Sequence, residues 1–271
     1  MLGKLFKYEF RHTAKTMFLT YAALGLFTLM ASAALYRINK GLDSDKTFFT
    51  VLSTTMLILY IIAIIAIYCV DFIYLIYQYY KTMYSAQGYL THTLPVSPTA
   101  VFSVKILAMF VWMFFSSMLS VLSVLILLQI GSGGEFSHAF SDIVWSSFTQ
   151  GVNDIFGISG FYFLFSCAVE AILGILLYIL WITASMAVGQ LAQKNRTACS
   201  ILAGLAFYMI SQIVNTIFLA VSGYSLSALL DGDAASFMKT ILNGNLIITA
   251  VSLVMLCGIC IYINNRKLNL E

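Results

Sequence analysis

Six long runs of apolar residues constrain this chain more than any other feature of its sequence. A transmembrane helix needs about 20 consecutive, predominantly apolar residues. Only 9% of the 271 residues are charged, whereas soluble domains carry about a quarter. We therefore expect an all-α integral membrane protein with residues 1–271 forming a single transmembrane domain. The predicted spans are Met17–Tyr36, Val51–Tyr77, Val101–Ile130, Phe161–Gln190, Ala198–Ser222 and Asn245–Ile263.

The distribution of positive charge predicts how these spans are oriented. Six spans place the two termini on the same side of the membrane. Ten of the 14 Lys and Arg residues lie on the side of the termini: nine in the terminal segments and in the loops after the second and fourth spans, and Lys105 near the start of the third span. The other four fall in the remaining loops. Lys and Arg are enriched in cytoplasmic loops. The sequence thus predicts that both termini are cytoplasmic.

Two segments outside the spans show helical amphipathic patterns. In residues 1–15 one helical face is apolar and the other basic; the apolar residues are Leu2, Leu5, Phe6 and Phe10. This pattern predicts an interfacial helix on the inner membrane surface, with a simple topology-setting leader as the alternative. In residues 131–160, apolar side chains recur at helical intervals between polar ones. That extracellular segment is expected either to cap the bundle or to act as a lid.

Two acidic residues, Asp71 and Glu170, lie inside predicted spans. A carboxylate within a membrane is costly unless it is paired or hydrated, so each is a candidate for lining a substrate path or gate. For Asp71 the alternative is contact with water or a cation near the cytoplasmic end of its span. For Glu170 the alternative is pairing with a polar side chain.

The sequence lacks the usual signatures of enzymatic chemistry. It contains no phosphate-binding loop of the form G-x-x-x-x-G-K-[ST] and no H-E-x-x-H or G-x-S-x-G motif. The three histidines are scattered, which argues against a shared metal site. We therefore expect no enzymatic activity, no cofactor and no metal in this chain.

The segment Met83–Pro98, "MYSAQGYLTHTLPVSP", holds both prolines of the chain, and we call it the elbow. The second helix is expected to end near Gly88, because glycine tolerates the left-handed conformation at a helix C-terminus. Ser97 is suited to cap the next helix, and Pro98 is suited to its first position. The resulting turn leaves a set of side chains available for contact, namely Tyr84, Tyr89, Leu90, His92 and Leu94.

The elbow resembles the inner loop of bacterial ABC transporter permeases of the type-2 (exporter) class. The matching residues are Gly88-Tyr89-Leu90, Thr93-Leu94-Pro95 and Lys105, which opens the next span. The resemblance implies that residues 78–98 form a cytoplasmic coupling loop and residues 1–15 a connecting helix. The larger outer element precedes the fourth span, whereas in that family it usually precedes the last.

This resemblance implies that the chain is the permease subunit of an ATP-driven exporter in a bacterial cytoplasmic membrane. Its partners would be a separate ABC ATPase, which binds ATP and Mg²⁺, a second permease subunit and the lipid bilayer, but no nucleic acid. The cargo would be a hydrophobic or amphipathic peptide, lipid or drug. The coupling residues would be Tyr84, Gly88, Tyr89, Leu90, His92, Leu94 and Pro95. The alternatives are an ion-coupled secondary transporter and a non-transporting scaffold or immunity protein.

Overall fold

The computed structural model describes residues 2–41, 47–85, 88, 96–134, 136, 145–192, 194–223 and 234–266. Within these ranges all the regular structure is helical, and no strand occurs. The helices are α1 (Leu2–Asn39), α2 (Thr47–Met83), α3 (Pro98–Gly131), α4 (Trp145–Phe156), α5 (Gly160–Gly189), α6 (Arg196–Gly223) and α7 (Ala234–Arg266).

Six of these helices are long and apolar enough to cross a membrane, and each contains one of the predicted spans to within one residue. The prediction of six membrane helices is therefore confirmed. The seventh helix, α4, has only 12 residues. At a rise of about 1.5 Å per residue, α4 is far shorter than a bilayer crossing.

The N-terminal segment differs from the predicted interfacial helix. Residues 2–15 are helical, but they continue without a break into the first span as the 38-residue α1. Within this segment Phe10 stacks on Trp112 of α3, with ring centroids 4.2 Å apart. Phe10 therefore packs against protein, while Lys4, Lys7 and Arg11 are exposed.

One compact unit consists of residues 1–77 and 111–146 and contains α1 with most of α2 and α3. Its core brings together Ala31, Tyr60 and Leu127 from the three helices. The Tyr60 hydroxyl lies 2.9 Å from the Ser123 hydroxyl, which joins α2 to α3. Small residues allow close approach of membrane helices, and Gly131 of α3 lies directly against the side chain of Leu35.

A second compact unit consists of residues 78–110 and 147–271, in which α5 packs against both α6 and α7. The α5–α6 contact is antiparallel, since Gly189 lies against Ser200 and Gly204 lies against Ser185. The α5–α7 contact is parallel. Its hydrogen bonds join Tyr162 to Asn243 and Glu170 to Thr249, further along both helices.

The short helix α4 is amphipathic, as the sequence predicts for part of residues 131–160; residues 135 and 137–144 lie outside the described ranges. Phe148 and Phe156, two turns apart, both contact the ring of Phe163 near the start of α5. Between them Val152 is buried, while Ile155 on the other face is exposed. Through these contacts α4 packs against the first turns of α5.

Candidate coupling elbow and buried carboxylates

The elbow begins where α2 ends, at Met83. The prediction that this helix ends near Gly88 is wrong, and so is its reason, because Gly88 does not have a positive φ. Gly88 is itself helical, and its amide donates to the carbonyl of Ser85 at 2.7 Å. A Cβ at Gly88 would collide with the backbone carbonyl of Met83. Glycine is thus required here for close approach of two backbone segments.

The elbow ends as the sequence predicts. Helix α3 begins at Pro98, and the Ser97 carbonyl accepts hydrogen bonds from the amides of Ala100 and Val101 at 3.0 and 3.2 Å. Proline suits a first helical position because its missing N–H would have no partner there. The other predicted coupling residues lie outside the described ranges, namely Tyr89, Leu90, His92, Leu94 and Pro95.

Tyr84 is buried, with only 7% of its surface exposed, so the prediction that its side chain is available for contact is wrong. Its hydroxyl donates to Oδ1 of Asn264 near the end of α7 at 3.4 Å, and it lies 3.5 Å from the Tyr79 hydroxyl. Burial raises the pKa of Tyr84 above its ordinary value, so the phenol stays neutral and acts as a donor. Tyr84 therefore fastens the start of the elbow to α7.

Lys105 forms a second anchor of the elbow. Its ammonium donates to the Thr82 hydroxyl at 2.7 Å and bridges the antiparallel ends of α2 and α3. Only 5% of Lys105 is exposed. The sequence marks Lys105 as a cytoplasmic charge and as part of the exporter-like motif, but it does not single out Asn264. The signal for Asn264 was its position in a polar Asn-Asn-Arg run closing an apolar helix.

Asp71 lies in the core of the first unit, where it is 1% exposed. The Ser116 hydroxyl on α3 donates to Oδ2 of Asp71 at 2.6 Å, while Oδ1 is buried without a hydrogen-bond partner. Near this carboxylate the Tyr21 hydroxyl donates to the Trp112 carbonyl at 3.2 Å. The idea that Asp71 reaches water or a cation does not match its burial. In this structure Ser116 donates to Asp71, and the Thr20 hydroxyl also interacts with this carboxylate.

Glu170 lies on α5, where its Oε1 accepts a hydrogen bond from the Thr249 hydroxyl on α7 at 2.8 Å. Its second oxygen, Oε2, is buried and has no hydrogen-bond partner. The expected pairing with a polar side chain is therefore present. A half-satisfied carboxylate is also able to accept a further proton donor or a cation, so its role in a path stays a prediction.

The part of the chain that the structure describes contains no group of three or more His, Cys, Asp or Glu side chains placed to hold a metal ion. All five cysteines are free. Cys260 is fully buried on α7, where its sulfur lies 4.0 Å from the Thr183 hydroxyl of α5. It packs between helices.

The chain matches none of the known protein families, curated proteins or solved structures with which it was compared. The likeness to exporter permeases therefore rests on the residues of the elbow, the number of spans and the charge distribution.

Proposed function

We propose that this chain is the permease subunit of an ATP-driven exporter of the ABC type-2 class, in a bacterial cytoplasmic membrane with both termini inside. A separate ATPase, which binds ATP and Mg²⁺, would dock on the elbow. A second permease subunit would complete the path for a hydrophobic or amphipathic substrate. The six membrane-length helices support the placement in a bilayer. The exposed cations of residues 2–15 support contact with anionic headgroups.

The observation that carries this proposal is the double anchoring of the elbow. Lys105 and Thr82 tie the end of α2 to the start of α3, and Tyr84 ties the same point to Asn264 of α7. Helices move as units, so a force on one end is transmitted along the whole element. A push on residues 84–97 therefore acts on α2, α3 and α7 together. A flexible surface turn without such anchors would absorb the push.

The proposal is tested by extracting the affinity-tagged chain from its native membranes in mild detergent and identifying the proteins that remain bound. We expect an ABC ATPase to be recovered. The variant Gly88→Pro with Leu90→Asp places a rigid ring and a charge in the elbow, so it should lose this ATPase and the coupled transport. A variant that keeps both would refute the assignment of the elbow as the coupling site.

A matched control places the same new residues in the capping helix α4. Gly151 has no atom within 4 Å of its missing Cβ, and Ile155 is exposed. Proline at this interior position breaks α4 locally but changes no residue of the elbow, so the variant Gly151→Pro with Ile155→Asp should retain the ATPase. Both variants are first checked for a monodisperse elution profile, so that loss of the partner is not confused with loss of the fold.

A second candidate function, ion-coupled secondary transport, is favoured by one specific observation. Asp71 and Glu170 each keep one buried carboxylate oxygen without a hydrogen-bond partner. Such an oxygen is able to take up a proton or bind a cation during transport. This function predicts substrate movement in vesicles that contain the chain alone without ATP, and its loss in Glu170→Gln. ATP-dependent movement that survives Glu170→Gln would exclude it.

A further inference from the structure

A groove runs along one face of α7, at the end of the molecule where the parallel helices α5 and α7 both finish. It has a volume of about 460 Å³ and is open along one side, and pockets that hold small organic ligands have similar volumes, about 300–1,000 Å³. Its α7 residues recur three and four positions apart and therefore share one helical face. The lining residues are Leu191, Met255, Gly258, Ile259, Tyr262 and Ile263.

The groove exists because one position on this face of α7 has no side chain. A Cβ added at Gly258 would have no atom within 4 Å. The flanking side chains of Met255 and Tyr262 are 64% and 51% exposed, whereas Ile263 is buried. Gly258 thus lies at the floor of an open, apolar slot between two projecting side chains. Such a slot accepts a slender apolar chain.

The groove extends over about the apolar depth of one lipid leaflet. Met255 and Ile263 are separated by about 12 Å along the helix axis. The hydrocarbon core of a bilayer is about 30 Å thick, so each leaflet contributes about half of that distance. With both termini inside, as proposed above, the groove faces the inner leaflet.

The apolar slot ends among aromatic and basic groups. Tyr262 is a residue of the kind enriched at the level of lipid headgroups. Lys194, in the turn between α5 and α6, is exposed and has no hydrogen bond or ion pair within the part of the chain that the structure describes. In the sequence of residues 191–199 and 263–270 every charged residue is basic, namely Lys194, Arg196, Arg266 and Lys267.

We propose that this groove binds an anionic phospholipid. One acyl chain occupies the slot over Gly258, and the phosphate lies beside Lys194. Basic sites between membrane helices on the cytoplasmic side bind acidic lipid headgroups. The order of the surface, from apolar slot to Tyr262 to Lys194, is the order of a phospholipid from its acyl chain to its headgroup.

The charge at the end of the groove distinguishes this occupant from two others. A second copy of the chain in the same membrane orientation would bring a second set of these cations to the same depth, where like charges repel. A zwitterionic lipid would fill the slot equally well, but its headgroup has no net charge to attract Lys194. The anionic lipid satisfies both the slot and the cations.

This inference takes only the orientation of the chain from the proposed function, and it is tested on the full chain alone. The chain is purified in mild detergent and titrated with palmitoyl-oleoyl phosphatidylglycerol, or with phosphatidylcholine carrying the same acyl chains. Native mass spectrometry gives the dissociation constant of the first bound lipid. We expect phosphatidylglycerol to bind at least about fivefold more tightly, which is the factor that one cation near the headgroup supplies.

The contribution of the headgroup is tested at Lys194. Lys194→Gln should weaken phosphatidylglycerol about fivefold and leave phosphatidylcholine unchanged, because only the anionic headgroup loses an attraction. The matched control is Lys239→Gln. Lys239 is also exposed but lies near the opposite end of α7, so its replacement should change neither constant.

The contribution of the slot is tested at Gly258. Gly258→Leu should weaken both lipids on the order of tenfold, because its side chain displaces about two methylene groups of the acyl chain. The matched control is Gly25→Leu on α1, where the glycine is exposed and its missing Cβ also has no atom within 4 Å. This control should bind both lipids as the native chain does. All variants are first checked for a monodisperse elution profile.

The position of the lipid is tested with phosphatidylglycerol that carries a photoactivatable diazirine on one acyl chain. We expect the label on the part of α7 that contains residues 255–263. Equal affinity for the two lipids, equal losses in Gly258→Leu and Gly25→Leu, or a label confined to other helices would each overturn the inference. Failure to recover an ABC ATPase in the pull-down described above would leave it intact, because lipid binding is measured without any partner protein.

Discussion

The hydrogen bond between Ser116 and Asp71 gives the sharpest test of the energetics of this bundle. Its donor and acceptor are 2.6 Å apart, a length typical of a hydroxyl donating to a carboxylate. Because Oδ1 of Asp71 already lacks a partner, Ser116→Ala would remove the 2.6 Å hydrogen bond to Oδ2 and leave only the nearby Thr20 hydroxyl to interact with this carboxylate. We expect Ser116→Ala to destabilise the protein by roughly 1–3 kcal/mol, which corresponds to a fall in Tm of roughly 2–12 °C.

The control and the rescue both follow from the same geometry. Ser117 is the next residue on α3, and its hydroxyl donates to the Phe114 carbonyl within the helix, so Ser117→Ala should cost only about 0.5 kcal/mol. Replacing both partners, in Asp71→Leu with Ser116→Ala, removes the buried carboxylate and the need for a donor. Buried polar pairs exchanged for apolar residues of similar volume are often neutral in stability. The double variant should therefore regain most of the stability lost in Ser116→Ala.

The assay is thermal unfolding of the purified variants in one detergent, followed by intrinsic tryptophan fluorescence and analysed as a double-mutant cycle. Equal losses in Ser116→Ala and Ser117→Ala, or additive losses in the cycle, would refute the reasoning. Transport by the double variant then separates the two roles open to Asp71. If the pair is structural, Asp71→Leu with Ser116→Ala still transports. If Asp71 lines the path, the variant is stable but inactive.

Three further predictions concern single contacts. Gly88→Ala should lower Tm by a few degrees and weaken ATPase recovery, because a Cβ at this position meets the backbone of α2. Its control is Gly174→Ala, which should raise Tm slightly because the space around Gly174 is open. A higher Tm for Gly88→Ala than for Gly174→Ala would contradict this geometry. Thr249→Val should lower the free energy of unfolding by about 1–3 kcal/mol, because it leaves Glu170 without its hydrogen-bond donor. Glu170→Gln keeps an acceptor oxygen, so its Tm should lie close to that of the wild type. Gly189→Val should lower the free energy of unfolding by at least about 1–3 kcal/mol, since even a Cβ would collide with the backbone of α6. An unchanged melting curve would show that α5 and α6 separate freely.

The composition and periodicity of the sequence are sufficient to predict the number and approximate limits of the membrane helices. Hydropathy is a local property, because each residue in a span must be compatible with hydrocarbon whatever its neighbours in space. The position where α3 starts is likewise determined by local sequence, since the conformational preferences of Ser97 and Pro98 depend only on the adjoining backbone. Both features therefore appear in the structure where the sequence places them.

Tertiary packing decided the features that depend on residues far apart in the chain. The sequence marks residues 2–15 as amphipathic, but it does not say that Phe10 stacks on Trp112, about a hundred positions away, or that this segment and the first span form one unbroken α1. It identifies Asp71 as costly, but its partner Ser116 lies on another helix. Tyr84 was expected to be exposed, and its contact with Asn264 buries it. Each of these outcomes depends on which helix faces meet, and no local pattern encodes that choice.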